Sequence, residues 1–339
     1  MRKYNFISGL PRSGSTLLSS ILDQNPKFQT GITDSMLGFS DSIFFNDSQA
    51  LGGRTTVTEE TRLEMVRSLF EVQYKDAPEV VFNTNRAWTG ATGRLKKLFP
   101  EFKMIVCLRH IPWILDSVER LNNKNPLTLK AIFGQQNWPG SNERAAFLMG
   151  EMGAQSGFVT GPLSLVQHSL NCPENREHIM YLEYEALAQD PEGCMRLVYD
   201  FLGEEYYAHD YNNVAKTYDE YDAELGLDGL HDVKQKVEFV ERPTVMSPMV
   251  WNKYANRSFW RSPDFPKQRL NWVGIDNRTP EEIQQSERVT AEASAYAKTL
   301  ETNSPQAQPA PQQAQQPQPQ TSLTDLSQLE NQSLANLYK

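Results

Sequence analysis

The sequence lacks several features that would assign it to a membrane, to a disulfide-rich class or to a metal site. It has no stretch of about 18 consecutive apolar residues, and its first three residues lead into a strand pattern rather than a signal peptide. The three cysteines, Cys107, Cys172 and Cys194, are odd in number and have no metal-ligand spacing. We therefore expect a soluble, cytoplasmic protein with buried thiols, no membrane span and no metal.

Basic residues are also fewer than acidic residues. The 339 residues include 33 Lys and Arg against 42 Asp and Glu, which gives a formal net charge of −9. General nucleic-acid binding needs a basic face that displaces counterions, so this composition argues against it. An anionic ligand would have to rely on a local cluster of arginines.

A glycine-containing loop near the start is the most informative stretch that is present. Residues 4–8 have the pattern of a buried strand, and Gly9 and Gly14 bound a tight loop before a helix that ends by Pro26. The backbone N–H groups of such a loop and the helix N-terminus form a concave site with partial positive charge. The pattern predicts a phosphate-binding loop.

The loop departs from the nucleotide-hydrolysing pattern at one position. Gly9, Gly14 and Thr16 fit G-x-x-x-x-G-K-[ST], but Ser15 stands where that pattern has lysine. The lysine balances the charge of the β- and γ-phosphates, so a kinase or NTPase would lose a main contact. Arg12 supplies a forked cation instead, which suits a terminal phosphate or sulfate.

A second arginine motif follows about a hundred residues later. The apolar run at 103–108 predicts a strand that leads into Arg109, and a helix from about Trp113 carries Ser117 and Arg120. An arginine at a strand tip and a serine two turns into the next helix can hold a phosphate from two sides.

The two motifs resemble those of sulfotransferases that use 3′-phosphoadenosine 5′-phosphosulfate (PAPS). Residues 10–18 are similar to the 5′-phosphosulfate loop of that family, and Arg109-x7-Ser117 is similar to its 3′-phosphate motif. The likeness is to bacterial-type members and, distantly, to tyrosylprotein sulfotransferases. It implies an α/β fold of the P-loop type, a three-layer sandwich in which helices flank a central parallel sheet.

The resemblance also implies which residues bind PAPS. The 5′-phosphosulfate would be held by Arg12, Ser13, Gly14, Ser15 and Thr16, and the 3′-phosphate by Arg109, Ser117 and Arg120. Tyr184 would lie near the nucleotide, in a strand that precedes a helix at 192–202. In the C-terminal part, Ser247 and Lys253 are candidates for a loop that closes over the adenine and the 3′-phosphate.

Two further residues join Arg12 as candidates for catalysis. Tyrosylprotein sulfotransferases place a glutamate about twenty-one residues after the loop arginine; here that position is Thr33, so the neighbouring Asp34 becomes the candidate base. The lysine that the family has before its 3′-phosphate strand falls near Thr84, and Arg86 is its candidate substitute.

The expected reaction is the in-line transfer of a sulfuryl group from PAPS to a hydroxyl or amine acceptor, without a metal. Two alternatives stay open: a P-loop kinase or NTPase, and a non-catalytic protein that binds the nucleotide but has lost its base. The class of acceptor also stays open, because no loop contains a sequence motif that identifies it.

Composition divides the chain into three parts. Residues 1–302 form the predicted sulfotransferase domain, in which 122–175 could be a lid or an acceptor-recognition insertion. Residues 303–320 contain five prolines and eight glutamines, which predicts a disordered linker. Five leucines of 321–339 can share one face of a short helix, so this tail is a candidate docking peptide for a protein partner.

Overall fold

The computed structural model describes residues 2–46, 57–124, 130–133, 138, 140–153, 157–225 and 229–275. All of them fall within the unit Met1–Pro280, which is defined by its internal contacts. The predicted linker at 303–320 and the predicted tail helix at 321–339 lie outside the described residues. Both stay predictions, as does the domain boundary at residue 302.

Among the described residues, six strands form one parallel sheet in the order β2-β3-β1-β4-β5-β6. Their bounds are β1 Lys3–Gly9, β2 Phe28–Gln29, β3 Val80–Thr84, β4 Met104–Leu108, β5 Ile179–Glu183 and β6 Asn271–Val273. The central strand β1 pairs Ile7 with Thr84 of β3 on one side and with Ile105 of β4 on the other. Because the strands are parallel, their carboxyl ends open on one edge of the sheet.

Helices follow most of the strands along the chain. Their bounds are α1 Ser15–Leu22, α2 Met36–Asp41, α3 Glu59–Gln73, α4 Thr92–Leu98, α5 Ile111–Lys124, α6 Lys130–Phe133, α7 Ser141–Leu148, α8 Thr160–Leu170, α9 Tyr184–Gln189, α10 Pro191–Leu202, α11 Asp219–Leu225 and α12 Pro248–Ala255. A π-helix, Ser42–Asn46, continues α2, and short 3-10 turns lie at 88–90, 173–175, 259–261 and 267–269.

The core has one apolar layer on each face of the sheet. Successive strand side chains point to opposite faces. Phe6 and Val106 therefore pack with α3 and α5 in one layer, while Ile7 and Cys107 pack with α1 and α10 in the other. The strands are buried on both faces, as expected for a parallel sheet covered by helices. The predicted three-layer α/β sandwich is confirmed.

The segment around Tyr184 differs from the prediction. Strand β5 ends at Glu183, and Tyr184 begins helix α9 instead of lying within the strand. Ala186, Leu187 and Ala188 explain the change, because alanine and leucine favour a helix and all three side chains are buried here. Tyr184 therefore sits where the strand turns into a helix, at the edge of the sheet that carries the loop after β1.

Candidate functional site

The loop between β1 and α1 is held in an unusual backbone conformation. Ser13 Oγ donates to the Leu10 carbonyl at 2.6 Å. Arg12 has a φ of 56° and is the one non-glycine residue with positive φ in the described part of the chain. No side chain caps the N-terminus of α1, and Gly14, Ser15 and Thr16 line a cavity there. Unpaired N–H groups at a helix start favour an anion.

Gly14 packs directly against Tyr184. Gly14 has a φ of 89°, and a Cβ at this position would lie 2.7 Å from Tyr184 Cδ2. Glycine is needed here both for its conformation and for the space that it leaves. The loop therefore rests on the tyrosine ring at the start of α9.

The two arginine motifs meet at this loop. Arg12 Nε donates to Ser117 Oγ at 3.1 Å, and Arg12 Nη1 donates to the Leu230 carbonyl. Arg109 Nη1 donates to the Arg12 carbonyl at 3.0 Å, and its guanidinium lies 4.3 Å from the centre of the Tyr184 ring. Residues that are 105 positions apart in the chain, Arg12 and Ser117, thus contact each other directly.

Both arginines are partly buried, and neither is paired with a carboxylate among the described residues. Burial, together with the nearby charge of Arg109, lowers the pKa of Arg12 to about 10. Burial also lowers the pKa of Arg109, and its Nε has no hydrogen-bond partner within the described structure. A bound anion would relieve this excess of positive charge.

A cavity of about 780 Å³ opens above the loop. Its walls come from the loop after β1, the residues that follow β2 and β3, Arg109, α5 and most of the segment 230–243. Six Lys or Arg residues and four Asp or Glu residues line it. The cavity is therefore more basic than the chain as a whole.

Arg86 lies in the wall next to β3. Its guanidinium is 4.7 Å from the centre of the Phe158 ring, and burial lowers its pKa. Phe158 also lines the cavity and belongs to the 122–175 region that the sequence analysis set apart. That region therefore contributes at least one aromatic wall residue.

Asp34, the candidate base, lies outside the cavity lining and is engaged elsewhere. Its Oδ2 accepts from the Tyr74 hydroxyl at 2.8 Å and from Asn83 Nδ2 at 2.5 Å. Its Oδ1 accepts from the Met36 amide at 2.9 Å, as expected of a residue that precedes a helix. Burial raises the pKa of the Asp34 carboxyl. Both of its oxygens therefore have partners within the fold.

Three other candidates also lie outside the cavity lining. Arg120 pairs with Asp116 at 2.9 Å, one turn earlier on α5. Ser247 is the N-cap of α12, and Lys253 pairs with Glu151 at 2.6 Å on an exposed face. The structure does not bring these three side chains to Arg12 and Arg109.

The segment 230–243 contributes wall residues that the sequence analysis did not select. Arg242 faces the cavity and pairs with Asp116 at 2.8 Å, and Lys234 and Lys236 also line it. His231 lines it too, and its Nδ1 lies 2.5 Å from Asp222 Oδ1. The signal in the sequence was a run of charged residues without helix or strand periodicity, which does not indicate where the run packs.

The described residues contain neither a membrane-spanning helix nor a metal-binding cluster. No helix in this part of the chain is both long and apolar enough to cross a bilayer. No group of three or more His, Cys, Asp or Glu residues within it is arranged to hold a metal ion.

Comparison with known proteins identifies the family. A model of the sulfotransferase family matches residues 6–208, which include the loop after β1 and the Arg109 motif. This chain belongs to the sulfotransferase family. The resemblance stated from the two motifs is therefore confirmed. No curated protein matches the chain.

Solved sulfotransferase structures are similar at low identity. A sulfotransferase from Mycobacterium avium is 14% identical over 61% of this chain and 65% of its own, slightly under two thirds of its length, with a TM-score of 0.38. The sulfotransferase domain of the curacin biosynthetic pathway is 14% identical over 87% and 98% of the two chains, with a TM-score of 0.43. A mouse sulfotransferase complexed with PAP (3′,5′-adenosine bisphosphate) is 13% identical over 88% of this chain and 87% of its own, with a TM-score of 0.36.

Proposed function

We propose that this sulfotransferase uses PAPS as its donor and transfers the sulfuryl group to a hydroxyl or amine of an acceptor in the cavity. The observation that carries the proposal is the contact between the two arginine motifs. Arg12 Nε lies 3.1 Å from Ser117 Oγ, and Arg109 Nη1 lies 3.0 Å from the Arg12 carbonyl. Two anion-binding elements in one cavity suit a donor with two separate charged groups, a 5′-phosphosulfate and a 3′-phosphate.

The charge of the cavity also fits such a donor. Arg109 Nε is buried without a hydrogen-bond partner among the described residues, and a buried donor atom of this kind favours an incoming acceptor. Burial lowers the pKa of Arg12 to about 10, because the folded site disfavours its charge until an anion is near. An anionic donor would satisfy both groups.

The residues of the chain have separate roles in this proposal. Arg12 and the amides of residues 13–16 hold the 5′-phosphosulfate and neutralise charge that builds on the leaving phosphate oxygen. Arg109 and Ser117 hold the 3′-phosphate, and Tyr184 orients Arg109. PAPS supplies the activated S–O bond. Arg86 is the second cation, on the side of the cavity formed by β3 and Phe158.

Four residues have no role in this proposal: Asp34, Arg120, Ser247 and Lys253. Each has a partner elsewhere in the fold and lies outside the cavity lining.

The free cysteines Cys107, Cys172 and Cys194 support a reducing, cytoplasmic location.

The test is calorimetric binding of the product 3′,5′-adenosine bisphosphate (PAP) and of 5′-AMP, without Mg²⁺. Arg109→Ala should weaken PAP binding about 10- to 150-fold, because a charge-assisted contact contributes about 1.5 to 3 kcal/mol. Binding of 5′-AMP, which lacks the 3′-phosphate, should change far less. Lys253→Ala is the matched control, since that lysine lies outside the cavity lining, and it should bind PAP as the parent does.

Each other outcome has a defined meaning. Failure to bind PAP, or a preference for Mg·ATP, would favour the kinase or NTPase alternative. Tight PAP binding, with no transfer of ³⁵S-labelled sulfate from PAPS to any phenol, alcohol or amine in a broad panel, would favour a non-catalytic binding protein. If Arg109→Ala weakened the binding of PAP and the binding of 5′-AMP equally, Arg109 would not be the residue that binds the 3′-phosphate.

A further inference from the structure

A turn outside the cavity lining, Phe259–Arg261, contacts the residues on both sides of Tyr184. Arg261 Nη2 lies 3.1 Å from Glu183 Oε2 and 3.0 Å from Glu185 Oε2. Glu183 is the last residue of β5 and Glu185 is the second residue of α9, so the two carboxylates flank Tyr184 in the chain. One guanidinium therefore holds both neighbours of the tyrosine against which the loop after β1 packs.

The two carboxylates differ in how many cations they have. Both are shielded from water, since Glu183 is fully buried and Glu185 is 4% exposed. Lys267 Nζ lies 3.9 Å from Glu183 Oε1, which gives Glu183 a second cation. Within the described structure, Arg261 is the one cation at ion-pair distance from Glu185. The contact is an ion pair and not a hydrogen bond, because Glu185 Oε2 has no hydrogen-bond partner there.

Glu185 also acts on the second arginine motif. Its Oε1 accepts from the His110 amide at 3.3 Å, and its charge acts on the Arg109 guanidinium. Opposite charges attract strongly where water is excluded, so Glu185 would turn toward Arg109 if Arg261 were absent. In the proposed function, this carboxylate would then compete with the 3′-phosphate for Arg109.

The residue before the turn caps the start of α5. Ser258 is buried, and its Oγ accepts from the Ile111 amide at 2.8 Å. The His110 amide donates to a carboxylate, Pro112 has no N–H, and the Trp113 amide donates to the His110 carbonyl at 2.9 Å. These amides are engaged within the protein, so the second arginine motif must hold a phosphate through its side chains.

We propose that Arg261 is a positioning residue that makes the site selective for a nucleotide with a 3′-phosphate. The inference rests on the proposed function, in which Arg109 binds that phosphate. Arg261 holds the Glu185 carboxylate, so that this group fixes the backbone after Arg109 and does not neutralise the Arg109 guanidinium. Ser258 fixes the next amide of the same backbone. Arg261 itself makes no contact with the nucleotide in this proposal.

A second buried ion pair provides a matched control. Arg144 Nη2 on α7 lies 2.5 Å from Glu119 Oε1 on α5, and both side chains are largely buried. Neither residue lines the cavity. Loss of this pair removes a buried cation from beside a carboxylate, as loss of Arg261 does, but far from the second arginine motif in its contacts.

The first measurement is calorimetric binding of PAP and of 5′-AMP to the full chain, without Mg²⁺. Arg261→Met removes the charge and should raise the Kd for PAP about tenfold, since couplings between neighbouring groups span about 2- to 150-fold. The Kd for 5′-AMP, which lacks the 3′-phosphate, should stay within about threefold of the parent value. Arg144→Met should bind both nucleotides as the parent does.

The second measurement uses the double variant Arg261→Met/Glu185→Gln. Glutamine keeps an oxygen that can accept from the His110 amide, but it has no charge that could pair with Arg109. We therefore expect PAP binding to return to within about threefold of the parent value. A loss of packing alone would not be restored by a second substitution.

Ser258→Ala tests the same arrangement with every charge kept. Loss of its hydrogen bond to the Ile111 amide should raise the Kd for PAP about threefold and leave binding of 5′-AMP unchanged. Ser247→Ala is its control, because Ser247 caps α12 outside the cavity lining and should not affect either nucleotide.

The outcomes separate this inference from the proposed function. A parent protein that does not bind PAP would overturn the proposed function and this inference with it. If the parent binds PAP, parent-like binding by Arg261→Met overturns the inference alone, and so does equal weakening of PAP and 5′-AMP. A double variant that binds PAP no better than Arg261→Met also overturns it. If Arg261→Met does not fold, parent-like PAP binding by Ser258→Ala overturns it.

Discussion

Replacement of Gly14 by alanine tests the contact between the loop after β1 and Tyr184. Gly14 has a φ of 89°, a conformation that costs an L-residue about 1–2 kcal/mol. The new Cβ would lie 2.7 Å from Tyr184 Cδ2, so the ring would have to retreat by about 0.7 Å to reach an ordinary contact of 3.4 Å. Overpacking of this kind costs about 1–3 kcal/mol. We expect the free energy of unfolding to fall by about 2–5 kcal/mol.

The same substitution should weaken nucleotide binding. The Tyr184 ring lies 4.3 Å from the Arg109 guanidinium, which in turn donates to the Arg12 carbonyl at 3.0 Å. Displacement of the ring therefore shifts one arginine and loosens the loop that carries the other. We expect the Kd for PAP to rise about tenfold, which corresponds to about 1.4 kcal/mol.

Gly203→Ala is the matched control. Gly203 also has a positive φ, of 67°, but a Cβ there would meet no atom within 4 Å. It carries the backbone cost of about 1–2 kcal/mol without a clash and lies outside the cavity lining. Denaturant midpoints and calorimetric PAP binding are measured for both variants. Equal losses of stability, or unchanged PAP binding by Gly14→Ala, would refute the reasoning about Tyr184.

Two further predictions concern thiol reactivity and acid stability. Burial raises the pKa of Cys107 and of Cys194 to about 12. Burial also raises the pKa of Cys172, but this side chain is only partly buried, so a thiol reagent should modify Cys172 first in the folded protein, as peptide mass mapping would reveal. Burial lowers the pKa of His110 and of His209 to about 4, whereas an unfolded histidine takes up its proton at about pH 6.5. The unfolded state therefore binds more protons between these values, and stability should fall as the pH drops from about 6.5 to 4. His209→Gln should flatten the pH dependence of the unfolding midpoint, and an unchanged slope would contradict this assignment.

The loop after β1 and the Arg109 motif could be predicted because their signals are local. A strand pattern, a turn with Gly14 and an apolar helix lie within about twenty residues, and backbone rules connect them. The order of the two motifs then indicated the family, which the match over residues 6–208 confirms. Tyr184 was expected near the nucleotide, and it lines the cavity from the start of a helix rather than from a strand.

The rest of the site could not be predicted, because long-range pairing decides which charged residues face the cavity. Lys253 pairs with Glu151, 102 residues away, whereas Arg242 pairs with Asp116, 126 residues away, and still faces the cavity. Nothing in the local sequence of either residue distinguishes the two cases. The contact between His231 and Asp222 is of the same kind, because the sequence between them has no periodicity that predicts it.

The meeting of the two arginine motifs follows from the register of the sheet. Strand β1 ends at Gly9, which pairs with Cys107 of β4, so the loop that carries Arg12 and the strand tip that carries Arg109 leave the sheet side by side. The contact of 3.0 Å between them is therefore favoured by the position of two neighbouring strand ends. Parallel pairing thus concentrates two cations at one edge of the sheet, although the net charge of the chain is −9. A shift of register between β1 and β4 by a single residue would separate them, even though every side chain of both motifs would still be present.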